Sequence, residues 1–345
     1  MSGKRFRILC FGAGGIGTYV GGSLSLANHE VVFIERPESI AYLTREGLLL
    51  EIGGVVKRYQ PLLSASIGEA LDVGTFDLGI IAVKSYDLDH LIGQMEPFQS
   101  QLPPILCLQN GVENEPRLEK LLGKGRVIAG TVTSAVGRKD VGSIVLEKER
   151  GIGISSTHPL SQEICTAMKE SGINCQLFSN PLSMKWSKLL TNLQANATSA
   201  ILNWTPLQVF SDHRIFKVEM VQLKEALDVM KTLDIPVINL PGTPVRLLAW
   251  AVSLPQNIGQ PLIKQGLGHG RGEKMPSFHI DLHGGRGQSE VEYLNGAVVQ
   301  HGRDVGVSTP INETLTKLLL KLTNKEIELS YFDNQPERLL DYLDQ

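Results

Sequence analysis

The stretch Arg5-Phe6-Arg7-Ile8-Leu9-Cys10-Phe11-Gly12-Ala13-Gly14-Gly15-Ile16-Gly17 decides how this chain is read. Phe6 to Phe11 is a largely apolar run of strand length, and it leads without a break into glycines spaced G-x-G-x-x-G. A helix-compatible segment follows, then Glu30-Val31-Val32-Phe33-Ile34 and the polar pair Glu35-Arg36. Strand, glycine turn, helix, second strand and a polar strand end is the layout of a dinucleotide-binding βαβ unit. Gly12 permits the tight turn out of the strand, Gly14 lets a pyrophosphate approach the backbone, and Gly17 lets helix and strand pack closely. The unpaired N–H groups at the helix start, in the segment Ala13, Gly15 and Ile16, face the phosphates with the helix dipole behind them.

The end of the second strand bears on which dinucleotide binds. Glu35 can accept hydrogen bonds from a ribose 2′-hydroxyl, which favours NAD. Arg36 can pair with a 2′-phosphate, which favours NADP, and Glu35 would repel that phosphate. These two residues alone leave both cofactors open.

Outward from this motif, the bulk properties exclude several classes. With 345 residues the chain is long enough for two ordinary domains. A hydrophobic fraction of 42% with 20% charged residues is that of a globular protein rather than a disordered one. A net charge of −3 argues against a nucleic-acid partner. Cys10, Cys107, Cys165 and Cys175 are scattered with no C-x-x-C, and read as free thiols. No apolar run is long enough for a bilayer, so no membrane partner is expected. Lys4, Arg5 and Arg7 before Ile8–Gly17 mimic a short signal peptide, but glycines interrupt the apolar part, and a cytoplasmic protein is expected.

The first half alternates strand and helix patterns. Strands are expected at Phe6–Phe11, Val31–Ile34, Leu78–Val83, Ile105–Gln109 and Val127–Ala129, with further ones near Gly142–Glu147, Gly151–Ile154 and Cys175–Phe178. The continuous apolar character of the third and fourth fits parallel strands buried on both faces. The character changes at Asn180-Pro181, an N-cap followed by proline in the first turn. Beyond it helices are expected at Leu182–Asn203, Ile215–Leu233, Pro244–Leu254, Glu290–Gly306, Pro310–Leu329 and Pro336–Leu343, with glycine-rich loops at Gln265–Gly272 and Gly284–Gly287. The fold class that follows is α/β plus all-α: a Rossmann-type dinucleotide-binding domain over 1–179 and a helical substrate domain over 180–345.

The first helix of the second half carries the next signal. At about 100° per residue, with Lys188 as origin, Asn192 falls near 40°, Asn196 near 80° and Asn203 near 60°. Asparagine is a poor helix former because its side chain competes for backbone groups. Its recurrence on one stripe therefore suggests a polar wall for a small oxygen-rich ligand. Asn110, in Gln109-Asn110-Gly111, and Lys84, in Ala82-Val83-Lys84-Ser85, each end a predicted buried strand, where ligands of open α/β sheets sit. Ser277 lies in Pro276-Ser277-Phe278-His279-Ile280-Asp281, and Glu290 and Glu292 open the segment Ser289–Gly296. Acids there are common as residues favoured by the helix dipole, and spacing alone assigns them no catalytic role. His279 and His283 are four apart with Asp281 between, but no zinc-ligand motif accompanies them, and no metal is expected.

Together these segments resemble the ketopantoate reductases (2-dehydropantoate 2-reductases). The resemblance rests on Gly12–Gly17, Ala82-Val83-Lys84, Leu108–Glu115, Lys185-Trp186-Ser187-Lys188 with Asn192 and Asn196, Lys274-Met275-Pro276-Ser277, Ser289–Gly296 and Gly306–Asn312. It spans nearly the whole chain in the family's order. It implies NADPH-dependent reduction of a 2-keto acid to a 2-hydroxy acid, a step of pantothenate and coenzyme A biosynthesis. It implies that Lys188 is the general acid and that Glu290 orients substrate and lysine. Asn192, Asn196 and Ser277 would bind substrate, and Asn203, on the same stripe, is expected to bind it with them. Asn110 would lie between nicotinamide and substrate, and Arg36 and Lys84 beside the 2′-phosphate, which favours NADP. The partner implied is a small 2-keto acid. The helical domain has apolar residues enough either for a homodimer or for its own core alone. Phe278-His279-Ile280-Asp281 departs from the family's usual pattern, so reduction of a related 2-keto acid is the alternative, and a non-catalytic NADP-binding protein is the other.

Overall fold

The computed structural model of the protein describes residues 4–268 and 274–343. It has two compact units. The first runs to Lys185 and includes Leu240–Thr243; the second comprises Trp186–Asn239 and the chain from Pro244 onward. The transition thus passes inside a helix rather than at Asn180, where the composition changes.

In the first unit, strands β1 (Arg7–Phe11), β2 (Glu30–Ile34), β3 (Leu48–Ile52), β4 (Val55–Tyr59), β5 (Leu62–Ser64), β6 (Leu78–Ile81), β7 (Ile105–Cys107), β8 (Val127–Val132), β9 (Ala135–Asp140), β10 (Ser143–Lys148), β11 (Ile152–Ser155) and β12 (Cys175–Phe178) form two sheets. The larger has the order β12-β11-β8-β7-β6-β1-β2-β5. From β5 to β8 it is parallel, with β1 flanked by β2 and β6, so the strand order reverses beside β1. That is the doubly wound arrangement, whose ligands lie beyond the carboxyl ends of the strands at the reversal. β11 is antiparallel to β8 and parallel to β12, so this edge of the sheet is not purely parallel.

Alternation along the strands builds a core on each face. Ile8, Cys10, Phe33 and Ile80 join one apolar cluster, while Leu9, Phe11, Val32 and Ile81 join the other. Both faces are covered by helices α1 (Gly15–Leu26), α2 (Pro37–Glu46), α3 (Ile67–Asp72), α4 (Leu88–Met95), α5 (Asn114–Leu122) and α6 (Ser161–Glu170) or by the second sheet. This second sheet, β4-β3-β10-β9, contains strands that the sequence pattern does not announce. β4 shows why: Val55 and Val56 are more than half exposed and Lys57-Arg58 follow, so no apolar alternation marks it.

From Pro181 the chain is helical: α7 (Pro181–Leu193), α8 (Asn196–Leu202), α9 (Pro206–Ser211), α10 (His213–Thr232), α11 (Val245–Val252), α12 (Gln256–Gly268), α13 (Ser277–His283), α14 (Asn295–Val305), α15 (Pro310–Thr323) and α16 (Pro336–Leu343). Asn180 does cap α7, accepting the Ser183 N–H at 2.9 Å. Several expectations need correction. The helix expected over Leu182–Asn203 is broken into α7 and α8. Gln265–Gly268 of the expected glycine loop close α12, and 269–272 lie outside the described residues. α9, α12 and α13 are additions to the expected set. α9 has a legible signal, since Thr205 and Gln208 form a capping box with Pro206 at the first helical position. Glu290–Gly306 is a 3₁₀ turn, Val291–Tyr293, followed by α14.

Among the described residues no helix is long and apolar enough to cross a membrane.

Candidate active site

The glycine turn is built as its spacing requires. Gly12 has φ +94° and donates its N–H to Ile34 O at 3.2 Å, which ties the turn to the end of β2. A Cβ on Gly17 would lie 1.9 Å from Gly12 O, so α1 can leave the turn only with glycine there. A Cβ on Gly14 would meet nothing within 4 Å, so its outer side is open for close approach of a ligand. These are the features a pyrophosphate needs, and the turn fits a dinucleotide.

Glu35 takes a position that its place in the motif does not predict. One carboxylate oxygen accepts the Ala13 N–H, and the other accepts the Arg36 N–H at 3.3 Å. It thus clasps the glycine turn from the end of β2. Arg36 is exposed at the N-cap of α2.

At the carboxyl ends of β6 and β7, the loops carrying Lys84 and Asn110 are laced together. The Gln109 amide donates to Val83 O and Lys84 O, each at 3.1 Å. The Ser85 hydroxyl donates to Asn110 O at 2.9 Å, and Asn114 Nδ2 donates to the same oxygen at 2.6 Å. Lys185 locks the arrangement. Its buried ammonium donates to Gln109 O at 2.7 Å and Gly130 O at 3.2 Å, and it meets Glu115 Oε1 at 2.7 Å. Lys185 and Glu115 are positioning residues to which the sequence motifs assign no role. The available signal is a second lysine in the helix of Lys188, three residues before it.

In the second unit, α7 carries Lys188, which is buried, and Asn192, which is half-buried one turn on. There the stripe stops. Ala195 has φ 49°, ψ 19°, and α8 starts afresh at Asn196. The wheel that aligns four residues is therefore valid only for Lys188 and Asn192. The break does not disperse the site. Asn196 Nδ2 donates to Asn192 O at 3.0 Å and to Ser277 Oγ at 3.3 Å, while Asn196 Oδ1 accepts the Phe278 N–H at 3.0 Å. Two candidates 81 residues apart in sequence thus meet. Asn203 goes elsewhere. It ends α8 with φ 53°, and its Oδ1 pairs with His279 Nε2 at 2.7 Å. Of the two candidate acids, Glu290 is buried and Glu292 exposed.

His279 and His283 stack with ring centroids 4.1 Å apart, and His283 Nε2 pairs with Ala200 O at 3.0 Å. Burial, with a lesser push from His283, lowers His279 to about 4, so it is neutral at ordinary pH. The pair joins α13 to α8. Among the described residues no group of three or more His, Cys, Asp and Glu is arranged to hold a metal.

The break at Ala195 has its own support. Glu219 of α10, fully buried, accepts the Ala195 N–H and the Thr198 hydroxyl, each at 2.7 Å. One turn on, Gln222 donates to Leu193 O at 3.3 Å and accepts from Asn295 at 3.1 Å. Another turn on, Glu225 accepts the Ile311 and Asn312 N–H groups at 2.8 and 2.9 Å. One polar stripe of α10 therefore satisfies donors at the starts of α8 and α15. Burial raises Glu219 to about 7 against the opposing pull of its hydrogen-bond donors.

A Rossmann-type nucleotide unit followed by a helical unit with a lysine, asparagines and a serine defines a class of nucleotide-dependent oxidoreductases. Residues 8–158 match the family described as ketopantoate reductase PanE/ApbA, and residues 180–323 match ketopantoate reductase PanE/ApbA C terminal. The chain belongs to the ketopantoate reductase family, and is an oxidoreductase acting on a small 2-keto acid with a nucleotide cofactor. It is 25% identical to the 2-dehydropantoate 2-reductase of Pyrococcus horikoshii over 318 residues, 91% of this chain and 96% of that one. The corresponding enzyme of Archaeoglobus fulgidus is 24% identical over 317 residues, again 91% and 96% of the two chains. Among solved structures, a PanE/ApbA family ketopantoate reductase from Ralstonia eutropha superposes with a TM-score of 0.78 at 25% identity, covering 93% of this chain and 99% of that one. A D-mandelate dehydrogenase in complex with NADH and anilino(oxo)acetate has the same fold, with a TM-score of 0.78 at 20% identity and coverage of 92% and 99%.

Proposed function

We propose that the chain reduces 2-dehydropantoate (ketopantoate) to pantoate with NADPH, in the cytoplasm, as a step toward pantothenate. The observation that carries this reading is the meeting of Asn196 with Ser277, next to the Asn192 backbone and on the chain segment that bears Lys188. Amides and a hydroxyl grip a carboxylate and a hydroxyl group without adding net charge. Such a set suits a small, oxygen-rich acid.

The reduced nicotinamide, when bound, supplies the hydride. Addition to the ketone develops negative charge on its oxygen, and the Lys188 ammonium stabilises that charge and donates the proton. Glu290, a buried carboxylate, orients substrate and lysine. Asn110 fixes the nicotinamide end of the site, and its loop is held by the lacing described above. Asn192, Asn196 and Ser277 hold the substrate, and Asn203, through His279, supports α13 behind Ser277. Arg36 and Lys84 serve the 2′-phosphate. The presence of both Lys188 and Glu290 favours catalysis over a non-catalytic NADP-binding role. A homodimer through the helical unit is part of the proposal, since Leu247, Trp250, Ile258 and Leu262 are exposed there.

A second reading has its own support. Glu35, clasped to the Ala13 N–H, holds a negative charge near where a 2′-phosphate would sit. The D-mandelate dehydrogenase of like fold is in complex with NADH. That reading is a reductase of a related 2-keto acid using NADH. Following the loss of reduced-nucleotide absorbance with ketopantoate and a panel of 2-keto acids, each with NADPH and NADH, decides between them. Turnover of ketopantoate with NADPH well above every other pair is the expected result. A preference for another keto acid or for NADH refutes that part of the proposal.

A further inference from the structure

The β9–β10 hairpin lies outside the main sheet, yet it leans on the glycine turn. The Gly142 N–H, at its tip, donates to Ala13 O at 3.1 Å. At the start of α1, a Cβ on Gly15 would lie 3.8 Å from Arg138 Cβ and 3.9 Å from Val136 Cγ1. Val136 and Arg138 are two apart on β9, so both side chains leave the same face of the strand, the face against α1. Val136 packs on the apolar cluster there. Arg138, one step toward the hairpin tip, is exposed, and its Nε donates to Asp140 O at 3.3 Å, a bond within its own hairpin.

We propose that Arg138 is a cofactor-binding residue that pairs with the pyrophosphate of the bound dinucleotide. This rests on the nucleotide cofactor of the family and extends it to a residue on the second sheet. The glycine turn itself offers only backbone N–H groups and the partial charge of the helix dipole. No charged side chain lies in the first turn of α1 to add to them. A guanidinium beside that turn supplies the missing full charge, in the planar fork that matches phosphate oxygens. The turn already attracts an anion in the structure, because Ala13 N–H holds the Glu35 carboxylate. Among the described residues the ties of Arg138 are to Asp140 of its own exposed hairpin, a 3.3 Å bond to the carbonyl and attraction to the carboxylate. A buried or bidentate partner is not among them, so the side chain can turn toward such an anion. The hairpin thereby gains a function: it brings a cation to a turn whose own sequence has none.

The test is calorimetric titration of the full chain, unmodified and as Arg138→Ala and Arg138→Lys, with NADPH, NADH and 2′-AMP. Arg138→Ala is expected to weaken NADPH and NADH alike by about tenfold or more, the loss of one charge-assisted contact. Binding of 2′-AMP, which has no pyrophosphate, stays unchanged, and Arg138→Lys loses less than Arg138→Ala. Unchanged NADPH and NADH affinity overturns the proposal. Weakening of NADPH and 2′-AMP with NADH spared also overturns it, by assigning Arg138 to the 2′-phosphate. Failure of the unmodified chain to bind either dinucleotide overturns the cofactor reading itself and the Arg138 assignment with it.

Discussion

Replacing Glu219 with glutamine is expected to stabilise the protein at neutral pH and to leave it little changed in acid. Glu219 is fully buried on α10, and burial raises it from the ordinary carboxylate range to about 7. Between that range and its raised value, the folded protein holds a proton that the unfolded chain has released. Stability therefore falls as pH rises through that window. Integrating the two titrations between about pH 5 and about pH 8 gives a loss of roughly 2.5 kcal/mol from this one group. The glutamine of the variant keeps the geometry. Its carbonyl accepts the Ala195 N–H, and its amide donates to Thr198 Oγ, which exchanges its role from donor to acceptor. The charge and its desolvation cost are gone, and the hydrogen bonds remain.

The assay is urea unfolding of both proteins across that pH range. The expected result is that the stability gap between Glu219→Gln and wild type widens by about 2–3 kcal/mol from acid to alkaline conditions. In thermal unfolding this is on the order of 5–10 °C for a unit of this size. Other titrating groups, such as Glu225, which burial also raises, are present in both proteins and cancel in the difference. Glu219→Leu serves as the contrasting variant. It leaves the Ala195 N–H and the Thr198 hydroxyl with no acceptor, and is expected to be less stable than Glu219→Gln by roughly 2–4 kcal/mol at every pH, since neither variant titrates there. A gap between Glu219→Gln and wild type that stays constant with pH would refute the reasoning, because it would mean that Glu219 titrates alike in the folded and unfolded chain.

Three other substitutions probe the two units. Lys188→Ala should lower turnover by about a hundredfold to ten-thousandfold with NADPH affinity intact, since Lys188 lies in the helical unit; unchanged turnover removes it as the acid. Lys185→Met leaves Glu115 as an unpaired, largely buried carboxylate and should cost about 2–4 kcal/mol in thermal or urea unfolding, with Lys185→Met/Glu115→Leu recovering most of the loss. Equal stability of the single and double variants would mean that the pair is solvated rather than buried. Gly17→Ala drives a methyl into Gly12 O and should cost about 1–3 kcal/mol of stability and most of the NADPH affinity, as measured by titration; wild-type affinity would contradict the close approach of α1 to the turn.

The parts of the fold that are legible in the sequence are those set by local, repeated constraints. β1, β2, β6 and β7 announce themselves as apolar runs because both their faces are buried, and Gly12 and Gly17 because backbone geometry admits nothing larger. Asn180 and Pro181 mark the start of α7 through the local chemistry of a helix N-terminus. β4 and β9 are different. They are strands because β3 and β10, their neighbours in the chain, pair with them as hairpins, and such pairing leaves no apolar period in a mostly exposed sequence. Lys188, Asn192 and Asn196 stand out as a polar stripe, but their roles, like those of Ser277 and Glu290, come from likeness to a family. Spacing alone gives Ser277 and Glu290 no role.

The break at Ala195 is the instructive failure. The residues of 182–203 have a continuous helical period, and nothing in Gln194-Ala195 is a helix breaker. An alanine at φ 49° is costly and persists only where its surroundings over-determine it. Here the determinant is Glu219, which takes the Ala195 N–H from 24 residues away, and Gln222, which takes the Leu193 carbonyl. The break in turn starts a new helix at Asn196. Its side chain then bonds backward to Asn192 and across to Ser277, where an unbroken helix would have carried it on around α7. A helical wheel treats the asparagines as one stripe, whereas Asn192 and Asn196 stand on two different helices. Asn196 meets the Asn192 backbone because a buried carboxylate on another helix bends the chain between them, while Asn203 turns to His279. Such an interaction cannot be read from the segment it controls. It is encoded in α10, where Glu219, Gln222 and Glu225 recur at helical spacing among apolar neighbours, and buried polar residues at that spacing are the signal that the sequence does carry.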